Sequence, residues 1–304
     1  MRQGKVYQTI RCLSRNDKGM GLMDLANGQM NRLRSVELEI LRRFIEACER
    51  MGLRYYILYG TLLGAVRHQG FIPWDDDIDV GMPREDYDQF VRCGQQYLPE
   101  NLFVQTHLSD PEYLNGFMKI RDDNTAYIET ATRKRKIHQG IFIDVFPMDY
   151  YDNFLGKPMK CWMLRLYLER LRSELADTPR SFKAGRLRRI LRFLYPSTQK
   201  VLDKREAMFR NTLPQSAYAC PCGAWGLNEI KPTQVSWYGD GVMLDFEGIR
   251  VRAPTEYHMC LEAEYGDYMK LPPVEQRVAH HNATVIDVEH SYLDYMAQGD
   301  LGIK

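Results

Sequence analysis

The first strong pattern along the chain is helical. Between Asn31 and Met51, apolar residues recur at intervals of three and four positions, the spacing that lines one face of an α-helix. Gly52 follows as a residue suited to end a helix. The pattern predicts an amphipathic helix that packs against a sheet.

Further along, runs of β-branched and aromatic residues alternate with helical segments. The pattern predicts strands at 55–59, 77–81, 103–106, 116–121, 126–129 and 141–146, with helices at 62–68 and 83–95. Thr61 is suited to cap the helix at 62–68. Because helix and strand interleave, the sequence predicts the α/β (α+β) class, with a mixed sheet flanked by helices.

The periodicity changes in the second half. Residues from about 155 to 212 have helical spacing, and Pro179 and Pro196 divide them into two or three helices. Strands are predicted again at 241–246 and 249–251, and helices at 255–265 and 288–296. We therefore predict a catalytic core at 1–150, a basic helical insert at 151–214, and a part at 215–304 that completes the catalytic domain.

Composition indicates an ordinary globular protein. The chain has 304 residues, of which 44% are hydrophobic, so it can bury a sizeable core. No stretch approaches the ~18 consecutive apolar residues of a membrane-spanning helix, and the first residues have no apolar run typical of a signal peptide. From these features we expect a cytoplasmic protein.

Positive charge is concentrated in one segment. Residues 157–210 contain 15 Lys and Arg against 5 Asp and Glu, although the net charge of the chain is only +1. Within it, Arg186, Arg188, Arg189 and Arg192 alternate with apolar residues and form a basic amphipathic helix. Such a helix is either a solvated face or a peripheral contact with an anionic membrane. Because the rest of the chain is acidic, we predict no nucleic-acid binding.

The seven cysteines are scattered and odd in number, which favours reduced thiols over a disulfide framework. Cys220, Cys222, His258 and Cys260 leave a zinc site open as an alternative. Buried structural cysteines are the more common interpretation, because Cys-x-Cys is not the usual zinc spacing.

Acidic residues carry the candidate chemistry. On a strand, Asp77 and Asp79 point to the same face, roughly 6.5 to 7 Å apart along the chain, so both can reach one hard cation or a pair of cations. Asp144 lies in an apolar strand, where a carboxylate needs a partner. A magnesium ion shared by the three acids is the common arrangement for transfer of a phosphoryl or nucleotidyl group. The same alternation makes Asp75 a possible outer ligand and points Asp76 away.

An acidic cluster by itself is most often a solvated turn. What favours a functional site here is the order of the parts: a strand, Gly60-Thr61 at a turn, a short helix, Asp77 and Asp79, and then Asp144 on a later strand. The free backbone N–H groups at Gly60-Thr61 are suited to hold a phosphate of the substrate.

These residues resemble the LicD family, which includes bacterial phosphocholine transferases and the fukutin-type proteins of animals. The resemblance is carried by YGTLLGAVRHQGFIPWDDDIDVGM at 59–82, KIR at 119–121, HQGIFIDVFP at 138–147, YGDYMKLPP at 265–273, and His280-His281. It covers about 31–150 and 215–282. It implies a fold similar to the nucleotidyltransferase superfamily, whose Gly-Thr turn, Asp-x-Asp strand and third acid match Gly60-Thr61, Asp77, Asp79 and Asp144.

The resemblance also implies an activity. A phospho-substituent, with phosphocholine favoured over a polyol phosphate, would pass from a CDP-activated donor to a hydroxyl of a cell-surface glycan, often a lipid-linked one, and CMP would be released. Magnesium is the expected cofactor, with manganese as the alternative. Nucleotidyl transfer, an Asp-x-Asp glycosyltransferase and a non-catalytic scaffold remain the alternatives.

Several further residues are candidates to bind substrate. Arg67, Lys119 and Arg121 are suited to neutralise phosphate charge, although each is equally suited to a surface ion pair. The resemblance places His138, His280 and His281 in recurring motifs and implies a substrate-facing role for them, against the usual interpretation of a histidine as a structural residue. Trp74 and Tyr59 are predicted to serve in packing, with one wall of a site for a quaternary ammonium as the alternative.

Overall fold

The structure is a computed structural model that describes residues 22–150, 158–175, 182–210, 218–221, 231–277 and 283–297. In these ranges the helices are α1 (Leu22–Met51), α2 (Tyr59–His68), α3 (Arg84–Cys93), α4 (Pro158–Leu175), α5 (Phe182–Leu194), α6 (Thr198–Arg210), α7 (Tyr257–Tyr265) and α8 (Tyr292–Ala297). The strands are β1 (Tyr56–Ile57), β2 (Asp79–Pro83), β3 (Leu102–Gln105), β4 (Met118–Asp122), β5 (Ala126–Glu129), β6 (Phe142–Tyr150), β7 (Tyr218–Pro221), β8 (Thr233–Gln234), β9 (Val242–Phe246), β10 (Ile249–Ala253) and β11 (Ala283–Asp287).

One mixed sheet organises the fold. Its strands lie in the order β1-β2-β6-β4-β3, and β7 extends it from the second half of β6 and pairs in turn with β8. Strands β2 and β6 run parallel, and the other neighbouring strands of this sheet run antiparallel. Helix α1 packs on β4 and β6, and α3 packs on β2 and β6. The predicted α/β class, with a mixed sheet flanked by helices, is confirmed.

The apolar face of helix α1 is buried, as the sequence pattern predicts. Its apolar stripe, including Leu33, Ile40, Leu41 and Phe44, is buried in the main core. Burying one such side chain stabilises the fold by roughly 1.5 to 3 kcal/mol. The helix begins earlier than predicted, at Leu22, and stops where Gly52 adopts a positive φ of 68°. That conformation is accessible to glycine without a steric penalty, so Gly52 ends the helix as the sequence indicates.

Some elements differ from the predicted ones. Strand β1 has only two residues, because α2 already begins at Tyr59. Strand β2 begins at Asp79 rather than Asp77. Strand β11, which was not predicted, pairs with β5 outside the main sheet. This pairing joins segments that are far apart along the chain, so local periodicity did not indicate it.

The basic segment forms α4, α5 and α6, and the last two are separated at Pro196 as predicted; Pro179 lies outside the described residues. Helices α4 and α6 share a small core with Leu114. A buried ion pair ties the region to the sheet: Arg84 donates to both oxygens of Asp149 at 2.5 and 2.6 Å, and it also lies 3.4 Å from Glu206 on α6. The division into three segments at 150 and 214 stays a prediction.

In the described part of the chain, no helix combines the length and the apolar character that crossing a membrane requires.

Candidate active site

The parallel pair β2–β6 places two of the predicted acids side by side. Asp79, the first residue of β2, is the register partner of Asp144 on β6. The backbone N–H of Asp144 donates to the carbonyl of Ile78 at 2.9 Å, which fixes this register. Neighbouring strands lie about 4.8 Å apart, and directly opposed residues point to the same face. The carboxylates of Asp79 and Asp144 therefore share one side of the sheet.

Asp77 completes an acidic group with these two residues. The pKa of Asp79 lies well above its usual range, first because its carboxylate is desolvated and then because Asp77 and Asp144 are negatively charged. The ammonium of Lys119 opposes this effect. Three crowded carboxylates offer oxygen ligands only, which is the donor set that hard divalent cations prefer.

Lys119 is the partner of Asp144 in this structure. Its Nζ lies 2.7 Å from Oδ1 of Asp144, and the side chain is only 2% exposed. The ammonium also sits 3.2 Å from the centre of the Phe142 ring, a cation–π contact. Lys119 was predicted to neutralise phosphate, and the structure places its charge directly beside a predicted catalytic acid.

Gly60 and Thr61 lie in the first turn of α2. The helix follows Leu58, and Thr61 does not cap it, so that prediction was wrong. Instead, the Thr61 hydroxyl accepts the backbone N–H of Asp79 at 2.8 Å and ties α2 to the start of β2. At Gly60, a Cβ would lie 2.3 Å from Oδ2 of Asp75. The absence of a side chain at Gly60 therefore lets the Asp75 carboxylate lie against the turn that was expected to hold a phosphate.

The acids before β2 do not alternate as predicted. One carboxylate oxygen from each of Asp75, Asp76 and Asp77 lies within 4.8 Å of the other two. Asp76 was expected to point away, but these three residues precede the strand, so the two-residue period of a strand does not apply to them. Asp76 also accepts a hydrogen bond from the Tyr127 hydroxyl at 3.3 Å. Burial, and next the charge of Asp77, raise the pKa of Asp75 to about 8.

Arg67 lies at the other end of α2, close to α7. Its Nη1 donates to the carbonyl of Tyr268 at 2.9 Å. Burial lowers the pKa of Arg67. The Tyr265 hydroxyl opposes this effect, and the positive charge of Arg277 adds to it. Partial burial raises the pKa of Tyr265, and so do Glu264, Asp79, Asp75 and Asp77. Tyr265 therefore lies within electrostatic reach of both Arg67 and the acids, a role that no pattern in the sequence indicates.

Arg121 and His138 are held by protein contacts. Arg121 is buried and donates to Oε1 of Gln105 at 2.5 Å and to the Gly140 carbonyl at 2.6 Å. His138 stacks on Phe103, and its Nδ1 accepts the Gly140 N–H at 3.1 Å. Its Nε2 therefore carries the proton and donates to Asp123 at 2.6 Å. The predicted substrate contacts of these two residues stay predictions.

The predictions for His280, for His281 and for the alternative zinc site involve residues that the structure does not describe. His280 and His281 lie outside the described residues, and so does Cys222 of the alternative zinc site. Within the described residues, Cys260 is a buried free thiol, and Nδ1 of His258 bonds with the Tyr268 hydroxyl.

A cavity of about 270 Å³ opens beside the acids. It is near the lower end of the size range of small-molecule pockets. Among the residues that line it are Tyr113, Phe117, Lys119, Arg121, Glu129 and Asp144. The cavity is therefore large enough for a small organic group next to the Lys119–Asp144 pair.

Glu37 is a second residue near the site that was not among the predicted site residues. It lies on α1 and is buried, and after burial the charges of Asp77 and Asp76 are the largest effects that raise its pKa. The sequence does contain a signal, because Glu37 interrupts the apolar stripe between Leu33 and Ile40. A charged residue at such a position has to find a partner in the interior.

The chain is similar to known proteins of one family. Residues 52–166 match the model of the LicD family, described as the nucleotidyltransferase domain of LicD, FKTN and FKRP. The chain is similar to the lipopolysaccharide cholinephosphotransferase LicD of Haemophilus influenzae, with 30% identity over 257 residues, 80% of this chain and 92% of that protein. It is also 46% identical over 48 residues to human ribitol 5-phosphate transferase FKRP, a stretch of 16% of this chain and 10% of that protein.

Proposed function

Because the chain belongs to the LicD family, we propose that it transfers a phospho-substituent from a CDP-activated donor to a hydroxyl of a cell-surface glycan and releases CMP. Phosphocholine is the favoured substituent, because a relative that is similar over 80% of this chain is a cholinephosphotransferase. The names of LicD and FKRP both describe transfer of a phosphate that carries an alcohol. The enzyme is thus a transferase of substituted phosphate groups.

The observation that carries this proposal is the pairing of Asp79 with Asp144 across the parallel strands β2 and β6. It gathers acids from two distant parts of the chain at one face of the sheet. Asp77 adds a third carboxylate within electrostatic reach of Asp79. Transfer of a substituted phosphate from a diphosphate to a hydroxyl commonly uses such a group of carboxylate oxygens to hold a divalent cation.

The residues fit the expected Mg²⁺, with Mn²⁺ as the alternative. Asp77, Asp79 and Asp144 would hold the ion, because their donor atoms are all carboxylate oxygens. The raised pKa of Asp79 supports this fit, since desolvated and crowded carboxylates lack sufficient opposing charge. When bound, the ion would offset the negative charge of the donor's diphosphate.

The chain's own residues account for the proton and the phosphate charge. The acceptor hydroxyl attacks the phosphorus that bears the substituent, Asp144 takes the hydroxyl proton, and the bond from that phosphorus to the bridging oxygen of CMP breaks. Lys119 holds Oδ1 of Asp144, which orients Oδ2 as the proton acceptor. Arg67, with Arg277 nearby, supplies positive charge at the α7 side of the site.

We assign the cavity beside Asp144 to the transferred substituent. Its volume of about 270 Å³ accommodates a small alcohol such as choline. Tyr113 and Phe117 offer ring faces, and Glu129 offers negative charge, which together suit a quaternary ammonium. The proposal includes a cytoplasmic location and a lipid-linked acceptor, reached through contact of the 157–210 segment with the inner face of the membrane.

Product analysis tests the reaction. The purified protein is incubated with Mg²⁺, a glycan acceptor and CDP-choline labelled at the phosphate next to choline. We expect label in the glycan and an equal amount of CMP. The variant Asp79→Asn removes this activity, whereas Asp245→Asn, which changes an exposed carboxylate on β9, keeps it. A glycan that carries the nucleotide would overturn the proposal.

Donor identity is tested by thermal unfolding with CDP-choline, CDP-ribitol, CDP-glycerol and nucleotide sugars. A donor at 100 times its Kd stabilises the native state by about 2.7 kcal/mol. We expect the largest stabilisation with CDP-choline. If the nucleotide sugars stabilise the protein and none of the CDP compounds does, the assigned donor class is wrong.

A further inference from the structure

Two arginines lie on the α7 side of the acids. Arg67 is near the end of α2, Arg277 lies in the segment after α7, and both side chains are half-buried. In the described part of the chain, their hydrogen bonds go to the carbonyls of Tyr268 and Pro272 and to the His68 ring rather than to a carboxylate. We call Arg67 and Arg277 the arginine pair.

Trp74 joins the two arginines. The guanidinium of Arg277 lies over the Trp74 ring, 5.3 Å from its centre, in a cation–π contact. The ring centres of Trp74 and His68 are 6.5 Å apart, and Nε of Arg67 donates to Nδ1 of His68 at 3.5 Å. One face of Trp74 is thus covered by a cation of the chain itself rather than left for a quaternary ammonium. The group also borders the acids, because Asp75 directly follows Trp74 in the sequence.

The charges of the arginine pair repel each other. Burial is the main cause that lowers the pKa of Arg67, and the charge of Arg277 lowers it further. Like charges held together in a half-buried place are unfavourable, and an anion between them relieves the repulsion. Guanidinium groups bind phosphate through two parallel N–H donors. The arginine pair is therefore suited to a phosphate ligand.

The arginine pair and Lys119 lie at different parts of the site. Arg67 follows Gly60 by two turns of α2, which is about 10 Å along the helix axis. Lys119 and the cavity for the substituent lie instead at β4 and β6. Tyr265 lies within electrostatic reach of both Arg67 and Asp79, so the arginine pair still borders the catalytic acids. One extended ligand can therefore contact Lys119 at one end and the arginine pair at the other.

We propose that the arginine pair binds the phosphate on the nucleoside side of the donor, the phosphate that leaves as part of CMP. This inference rests on the proposed function for the nature of the donor. Arg277 contacts the phosphate, and Trp74 is a positioning residue that holds the guanidinium of Arg277. The donor then lies across the acids, with its substituent in the cavity beside Lys119 and its nucleoside towards α7.

The arginine pair has a role in the reaction as well as in binding. When the bond from the transferred phosphorus to the bridging oxygen breaks, the electron pair of that bond stays with the phosphate of CMP. Positive groups already in position next to a developing negative charge stabilise the transition state. The arginine pair therefore assists the departure of CMP.

Binding of CMP, measured by isothermal titration calorimetry in buffer that contains Mg²⁺, tests the proposal without any turnover. Because a hydrogen bond between two charged groups is lost, Arg277→Met is expected to weaken CMP binding about tenfold or more. Addition of NaCl is expected to weaken CMP binding by the unchanged protein more steeply than by Arg277→Met, because one charge contact is missing in the variant.

Arg252→Met is the matched control. Arg252 is also half-buried, lies over the ring of Tyr55 at 6.0 Å and donates to the carbonyl of Asp240 at 3.2 Å. It is on β10 and has no part in the proposed subsite, so Arg252→Met is expected to bind CMP like the unchanged protein. Equal CMP affinities of Arg277→Met and Arg252→Met would overturn the proposal, and so would a lack of CMP binding by the unchanged protein.

Two further measurements separate binding from folding. Without CMP, the melting temperature of Arg277→Met is expected to equal or exceed that of the unchanged protein, because a repelling charge has been removed. Trp74→Leu is expected to weaken CMP binding, whereas Trp74→Phe, which keeps a ring face for Arg277, is expected to retain most of it. An equal loss in both Trp74 variants would refute the positioning role of Trp74.

The outcomes distinguish this subsite from the proposed function. If CMP binding depends on Arg277 but no phosphocholine label enters the glycan, the subsite is supported and the proposed transfer is wrong. If label enters the glycan and CMP binding does not depend on Arg277, the transfer is supported and the subsite is wrong.

Discussion

The ammonium of Lys119 lies 2.7 Å from Oδ1 of Asp144, and the two residues are register partners on the antiparallel strands β4 and β6. Both side chains are almost fully buried. This ion pair neutralises the charge of one of the acids that would face substrate, and both of its residues lie on paired strands of the main sheet. The pairing of β4 with β6 therefore fixes the positions of both charges in the site.

Removal of Lys119 is expected to destabilise the fold strongly. Lys119→Met leaves the buried Asp144 without its partner, a change that typically costs about 3–5 kcal/mol. Urea unfolding in the presence of a metal chelator measures the cost. The double variant Lys119→Met/Asp144→Asn is expected to lose less, because no unpaired charge remains.

The exposed pair Arg250–Asp245 provides the control for that experiment. Exposed ion pairs contribute about 0–1 kcal/mol, so Arg250→Met is expected to change stability little. If Lys119→Met costs no more than Arg250→Met, the buried pair does not have the importance assigned to it.

His138 is expected to give the fold a specific pH dependence. Burial lowers the pKa of its ring to about 4, below the ordinary value near 6.5 that applies to the unfolded chain. The unfolded state therefore takes up the proton first as the pH falls. The contribution of His138 is complete above pH ~6.5 and is lost towards pH ~4, by at most about 1.4 kcal/mol per pH unit.

The measurement compares the unfolding free energy of the unchanged protein with that of His138→Gln at several pH values between 4 and 7. The comparison cancels the titration of other groups. We expect the difference between the two proteins to shrink as the pH falls. Parallel curves would show that the ring is not held neutral.

Two glycines in helices provide a matched pair. Gly60→Ala places a Cβ 2.3 Å from Oδ2 of Asp75, whereas Gly28→Ala meets nothing within 4 Å. The first substitution forces the carboxylate to move and is expected to cost about 1–3 kcal/mol. The second is expected to stabilise α1 by roughly 0.5–1 kcal/mol.

Transferase activity and thermal unfolding of both variants test this prediction. Gly60→Ala is expected to lose activity at least tenfold, and Gly28→Ala to keep it. Full activity in Gly60→Ala would mean that the close approach of Asp75 to α2 has no role in the site.

Helix α5 is expected to bind anionic membrane surfaces. Phe193 is 84% and Leu194 is 60% exposed, beside the exposed Arg189 and Arg192. Apolar side chains insert at the interface while each basic residue adds about 1 kcal/mol of attraction to anionic lipid. Co-sedimentation with vesicles of phosphatidylglycerol, compared with phosphatidylcholine, measures the binding.

For this experiment we expect Phe193→Glu/Leu194→Glu to abolish vesicle binding. Leu108→Glu changes an apolar residue of similar exposure, 61%, outside the basic segment, and is expected to leave it unchanged. Equal binding of neutral and anionic vesicles, or an equal loss in both variants, would contradict an interface at α5.

Local patterns predicted most of the elements near the site and were less reliable about its contacts. The helical stripe of α1 and the strand that carries Asp144 were anticipated, because each is a continuous segment with one buried face. The role of Thr61 was not anticipated: a threonine at the start of a helix usually caps it, but here its hydroxyl accepts the N–H of Asp79. The hydrogen-bond partner of the Thr61 hydroxyl depends on how α2 packs beside β2.

By itself the sequence determined the α/β class, the family, and the group of acids around Asp77, Asp79 and Asp144, because periodicity and motif order are properties of contiguous residues. Only the tertiary structure decided that Asp79 and Asp144 are register partners, that Lys119 pairs with Asp144, and that burial, followed by the charges of Asp77 and Asp76, raises the pKa of Glu37. The reason is physical: neighbouring strands are selected by hydrogen bonds between distant segments, and a buried charge acquires its partners only when those segments pack together.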